Sequence, residues 1–285
     1  MSSITFKEAI ESYNYALKNF WLRIEALEQE LPPFLEGATK EMMHGFKILP
    51  LSFDKCFPTF CRLTINKNVL DGANERLTET KWLGNKPANK VNKYGRMNLI
   101  GQSILYGTFS VPTAINELEP KCGDLVTLSE WTLKEPNTKM TVFPIFWNMR
   151  NDVGYFQILS QYRSLISQFD QDVQSLFDTQ MKFLADIMSK RIDSKNNNLY
   201  VFTSSVANRI FYEEMNGETE AIIYPSVKDT AKMDNIAIKP NVFETNYRLM
   251  SVKEYIIRAN TNELKMQELT GFSNKFINSN ISWDH

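Results

Sequence analysis

The stretch Gly95–Glu117, which reads GRMNLIGQSILYGTFSVPTAINE, constrains this chain more than any other. The Gly, Asn and Lys residues between Asn92 and Gly101 set an irregular loop that holds Arg96 and Asn98 near a surface. Ser103–Thr108 is short, apolar and aromatic, the pattern of a buried strand, and it carries Tyr106. Pro112 marks a helix start with Ser110 at the cap position, and the helix runs through Ala114 and Ile115 to Glu117 in its second turn. A loop, a strand and a helix in such quick succession can turn an Arg, a Tyr and a Glu toward one cleft. A guanidinium fork matches phosphate oxygens, a carboxylate matches a ribose or an oxocarbenium-like centre, and a phenol ring packs on a flat heterocycle. Together they point to a dinucleotide cleft built without a Rossmann loop. Taken singly, each also has a structural reading, as a surface ion pair or a core-edge aromatic.

A second arginine stands upstream. Leu49–Asn66 reads as a loop feeding a strand over Thr59–Ile65, with Arg62 inside it. A charge within an apolar strand is costly unless it is paired or faces a cleft, so Arg62 is the stronger functional candidate of the two arginines on physical grounds. Lys81, Lys86, Lys90, Lys93 and Arg96 follow with no acid between Glu79 and Glu117. Such a run attracts a pyrophosphate or simply forms a solvated face.

The order of these pieces carries a resemblance. Phe60-Cys61-Arg62-Leu63, then Tyr94-Gly95-Arg96-Met97-Asn98, Leu105-Tyr106, Thr113-Ala114-Ile115-Asn116-Glu117 and Ile222-Ile223-Tyr224-Pro225-Ser226 resemble the RES domain family. That family is named for an Arg, a Glu and a Ser lining its active site. Its members are mostly bacterial toxins that degrade NAD, with a fold similar to that of ADP-ribosyltransferases. The resemblance covers roughly Phe60–Pro240 with one large interruption. It implies catalytic roles for Glu117, Arg62 and Ser226, and NAD-binding roles for Arg96, Tyr106, Asn98 and Asn235. Met97 departs from the family pattern, where an aromatic is usual, and Glu220-Ala221 stands where Asp-Gly is usual.

Composition excludes several other classes. The 285 residues are 43% hydrophobic and 23% charged with a formal net charge of -1, an ordinary folded composition with no global footprint for nucleic acid. No apolar run spans a bilayer and MSSITFKEAIESY lacks a signal-peptide core, so the expectation is a cytoplasmic protein without membrane contact. Cys56, Cys61 and Cys122 form no disulfide framework. With His44 and His285 as the only histidines, they also supply no metal site and no Ser-His-Asp machinery.

Helical periodicity brackets the candidate site. Phe6, Ile10, Tyr13, Leu17, Phe20, Ile24, Leu27 and Leu31 alternate spacings of four and three up to Pro32-Pro33. This is a helix packed on its own domain, or a surface for a homo-oligomer or a partner. One or two long helices are expected between Tyr155 and Ile192, a short strand over Leu199–Thr203, a helix over Ser204–Met215, a strand over Thr219–Pro225 delivering Ser226, and an amphipathic helix over Ser251–Glu268. Gly271 onward reads as loosely ordered. The expected organisation is a helical extension over 1–48, a catalytic domain over 49–250 with a helical insertion at about 150–195, and a helix and tail over 251–285. The fold class is α+β, an ADP-ribosyltransferase-like mixed or antiparallel sheet with added helices.

The activity implied by the resemblance is cleavage of the nicotinamide–ribose bond of NAD as substrate, by a glycohydrolase or phosphorylase that depletes NAD as a toxin. An antitoxin partner is implied with it. A mono-ADP-ribosyltransferase using the same cleft and a non-enzymatic helical interaction module remain as alternatives.

Overall fold

Strands and helices intersperse along the chain in a mixed α+β order. The computed structural model describes residues 51–146, 153–190, 198–226, 235–260 and 265–284, with scattered residues before 50. The main elements are β1 (Phe53–Lys55), β2 (Thr59–Ile65), β3 (Leu105–Thr108), α1 (Val111–Leu118), β4 (Leu125–Leu133), β5 (Met140–Pro144), α2 (Val153–Ile166), α3 (Gln171–Ser189) and α4 (Asn198–Tyr212). They continue with β6 (Ala221–Tyr224), β7 (Asn235–Ile238), α5 (Pro240–Asn246), β8 (Tyr247–Asn260), β9 (Lys265–Ser273), β10 (Phe276–Ile277) and β11 (Asn280–Ile281).

Two compact units interleave in sequence, the first over 1–53, 91–102 and 141–233, the second over 54–90, 103–140 and 234–285. The helices of the expected insertion belong with the loop around Arg96, and the C-terminal segment belongs with the strands that carry Arg62 and Tyr106.

In the second unit β7, β3, β2, β4, β8 and β9 lie side by side in that order, every neighbouring pair antiparallel. Alternation along the strands divides the sheet into two faces. Cys61, Leu63, Ile65, Val126, Leu128 and Ile257 form one face and pack against Ala114 and Ile115 of α1. Pro112 opens α1, and Glu119 closes it with a left-handed backbone at φ 46°. On the opposite face Phe60 meets Tyr247 at 4.9 Å and Trp131 meets Phe243 at 4.7 Å between ring centroids. Gly107 lies under that aromatic group: a Cβ added there falls 2.6 Å from the Phe60 ring, so only glycine fits.

The first unit holds the parallel pair β5–β6, with Val142 opposite Ala221 and Phe143 opposite Ile222. Asp170 caps α3 by accepting from the Val173 amide at 3.0 Å, and Tyr162 of α2 donates to Asp178 of α3 at 2.7 Å. Most of the Phe6–Leu31 stripe lies outside the described residues; Leu17 within it is buried. Among the described residues no helix is long and apolar enough to cross a membrane.

Three expectations are corrected. Leu199–Thr203 is not a strand but the first turns of α4, whose buried Leu199, Phe202, Val206, Ile210 and Phe211 recur at helical spacing. Ser204 is accordingly no cap, and its hydroxyl donates back to the Val201 carbonyl at 3.1 Å. The described parts of the expected helix over Ser251–Glu268 are strand, residues 251–260 in β8 and 265–268 in β9, and the register shifts at Glu254/Tyr255 and Ile257/Ala259 break the strand period. The segment after Gly271 is ordered: it forms the β10–β11 hairpin, and the Trp283 indole donates to the Leu77 carbonyl at 2.7 Å.

Candidate active site

Four of the seven expected site residues lie in the second unit, on three adjacent strands and the helix above them. Register explains their meeting. Thr108 of β3 is opposite both Cys61 of β2 and Asn235 of β7, so Asn235 points to the side covered by α1. There the Asn235 Nδ2 donates to Glu117 Oε1 at 3.1 Å. Asn235 is buried and Glu117 is partly exposed, so the amide fixes the direction of a carboxylate that solvent still reaches. Tyr106 leaves β3 on the same side as Thr108.

Arg62 is placed differently. It sits on the opposite side of β2 from Cys61 and Leu63, with Phe60 and Thr64. The ladder joining β2 to β3 is confined to Cys61 and Thr108, reinforced by a hydrogen bond from the Cys61 thiol to the Thr108 carbonyl at 3.3 Å. Beyond that rung β2 stays paired to β4 along its full length and β3 to β7. Arg62 and Tyr106 therefore flank the place where the two strands part, and Tyr106 acts electrostatically on the guanidinium. Burial pushes the Arg62 guanidinium down to about 10, with Tyr106 acting in the opposite direction. Its Nη1 is buried and meets no hydrogen-bond acceptor among the described residues. A buried donor without an acceptor costs about 1–3 kcal/mol.

The remaining three residues lie in the first unit. Arg96 does not present an open fork. Its Nη1 donates to the Met188 carbonyl at 2.6 Å and the Ile187 carbonyl at 3.5 Å, and its Nη2 to the Lys190 carbonyl at 3.1 Å. The guanidinium also lies 5.5 Å over the Tyr200 ring. A cation on the carbonyls that end α3 satisfies groups with no partner in the helix and complements its dipole, so the basic Gly-Arg-x-Asn turn serves here as a helix cap. Asn98 is buried in the same loop and donates to the carbonyls of Leu99 at 3.0 Å and Lys93 at 3.3 Å, while its own carbonyl accepts from the Gly95 amide. Ser226 is fully buried just beyond the end of β6.

Sequence reasoning passed over the hydroxyls around Arg62. Thr64, Thr127 and Ser129 share its face of the sheet and are all buried. The signal was available as the two-residue period of β2 and β4, in which Leu63 and Leu128 mark one face and leave the polar residues on the other. Among the described residues no group of three His, Cys, Asp or Glu is arranged to hold a metal ion. No protein-family model matches the chain, and no curated protein matches it either.

Proposed function

We propose that this chain is a RES-like enzyme that cleaves the nicotinamide–ribose bond of NAD, with Glu117 at the reacting carbon and Arg62 as the phosphate anchor. One observation carries this reading: a single compact unit holds a carboxylate oriented by an amide, 3.1 Å away, and, on the other face of the sheet beside the gap between β2 and β3, a guanidinium whose buried Nη1 has no acceptor among the described residues. An anchored anion and a stabilised cation are what the reaction needs. As the bond from the ribose C1′ to the pyridinium nitrogen breaks, its electron pair leaves with neutral nicotinamide and positive charge develops on the ribose. A carboxylate beside that charge stabilises the transition state more than the ground state. The leaving group is already cationic and needs no general acid. The Asn235 amide keeps Glu117 from swinging away, which serves orientation rather than charge. Tyr106 offers a ring for the nicotinamide or its ribose. An acceptor oxygen then adds to C1′ and supplies ADP-ribose or its ester.

Arg96 and Asn98 have structural duties and take no part in this mechanism, so the phosphate-binding role rests on Arg62. Nicotinamide release by the purified chain beside Glu117→Gln tests the assignment. The substitution preserves an oxygen for the Asn235 amide, so the fold is expected to hold while release falls at least about 100-fold. Release that survives the substitution removes Glu117 from the mechanism. Recovery of label from the ADP-ribose half in free solution, with or without added phosphate, or on a macromolecule, identifies the acceptor.

A further inference from the structure

We infer that Thr64 is a second binding group for the anion that Arg62 receives, and that the two form one cradle for a pyrophosphate; this rests on the NAD reading above. Arg62 and Thr64 are two residues apart on β2, so their side chains leave the strand on the same face about 6.6 Å apart along it. That spacing lies within reach of the two phosphates of one pyrophosphate group.

Most polar groups of this face are already engaged. The Ser129 hydroxyl donates to the Arg62 carbonyl at 3.1 Å and accepts from the Trp131 indole at 3.0 Å. The Thr127 hydroxyl donates to Asn66 Oδ1 at 2.9 Å, and the Asn66 amide donates to the Glu75 carbonyl at 2.9 Å. Against this background two groups stand out. Among the described residues the buried Thr64 hydroxyl has no partner, and neither has the buried Arg62 Nη1. A buried hydroxyl could be replaced by a methyl group at no loss to the fold, and valine fits a strand at least as well. The charge balance also favours an anion. Glu254, two strands away on the same face, has one oxygen without a partner, but its charge is matched by Arg76 at 2.9 Å. Arg62 has no carboxylate partner among the described residues, so the strip carries one uncompensated positive charge at the end where Thr64 lies.

Thr203 and Thr219 supply internal controls. Their hydroxyls are also buried without a partner, and both belong to the first unit. The experiment compares Thr64→Val, Thr64→Ser, Thr203→Val and Thr219→Val in the full chain, by thermal unfolding with and without inorganic pyrophosphate and by steady-state nicotinamide release. Thr64→Val is expected to melt at or above the wild type, to lose most of the pyrophosphate-induced shift, and to raise KM for NAD about tenfold with kcat nearly unchanged. Thr64→Ser, which keeps the hydroxyl, restores both. The two control variants leave KM and the pyrophosphate shift as they are. A Thr64→Val protein that behaves like the controls overturns the inference while leaving the NAD reading standing. Loss of the pyrophosphate shift in Thr64→Val from a wild type that releases no nicotinamide upholds the anion cradle and overturns the NAD reading instead.

Discussion

Replacing Arg62 by methionine tests whether a site residue is kept at the expense of the fold. Burial lowers the proton affinity of this guanidinium from its ordinary, more basic value to about 10. Each tenfold change is about 1.4 kcal/mol, so the interior disfavours the cation by roughly 3 kcal/mol. Part of the side chain is exposed and solvent screens it, which leaves about 2 kcal/mol. The sign follows from proton binding. Because the folded state holds the proton less tightly, the cost is present in full below about pH 10 and is relieved only as pH climbs above it toward the ordinary arginine range. At neutral pH the whole of it is available to a substitution. Methionine keeps most of the aliphatic stem and removes the charge and the unpartnered Nη1. The variant should therefore melt about 4 °C above the wild type. Millimolar pyrophosphate at low ionic strength should raise the melting temperature of the wild type and leave that of Arg62→Met unmoved. Scanning calorimetry or near-ultraviolet circular dichroism reads both. A variant that melts below the wild type shows that Arg62 is a structural cation and refutes the reasoning. A retained pyrophosphate shift refutes the anchoring role alone.

The remaining predictions concern the frame around the site. Arg96→Ala removes the donors to three carbonyls at the end of α3 and should cost about 2–4 kcal/mol, read as a lower melting temperature, with KM for NAD unchanged in the protein that stays folded; a raised KM would return Arg96 to the binding site. Trp283→Ala removes the indole bond to the Leu77 carbonyl and the ring 5.1 Å from the Arg76 guanidinium, which itself neutralises buried Glu254. It should destabilise by about 2–4 kcal/mol and raise amide exchange along β8 and β9 together, whereas a loosely packed tail would give no effect.

Local signals were strong where one period ruled a whole element. Thr59–Ile65 folds as a strand with the bounds its sequence predicts, and Leu125–Leu133 pairs with the whole of that strand. The helical repeat after Tyr155 yields two helices broken where Asp170 caps the second. The period misled where tertiary contacts bent it. In β8 the buried positions Val252, Glu254 and Ile257 are separated by two and then three residues, because Glu254 lies on the Arg62 face of the sheet and Ile257 on the face under α1, and burial on both faces mimics a helical stripe. In α4 the β-prone run Leu-Tyr-Val-Phe-Thr is overruled by burial at helical spacing.

For the site, the sequence by itself determined which residue types are available and that Arg62 stands inside an apolar strand, Tyr106 on the next one and Glu117 on the helix after it. These follow from short-range pattern. It did not determine which of two arginines is uncommitted. Arg96 is engaged because the end of α3, some ninety residues away in sequence, brings its carbonyls to the guanidinium, and Arg62 is unsatisfied because no acceptor arrives. Nor could it show that Glu117 is oriented by Asn235, a contact set by the register of β3 against β7. Hydrogen-bond satisfaction is a property of what the fold brings together over long separations, so only the tertiary structure decides which polar group is left for a ligand.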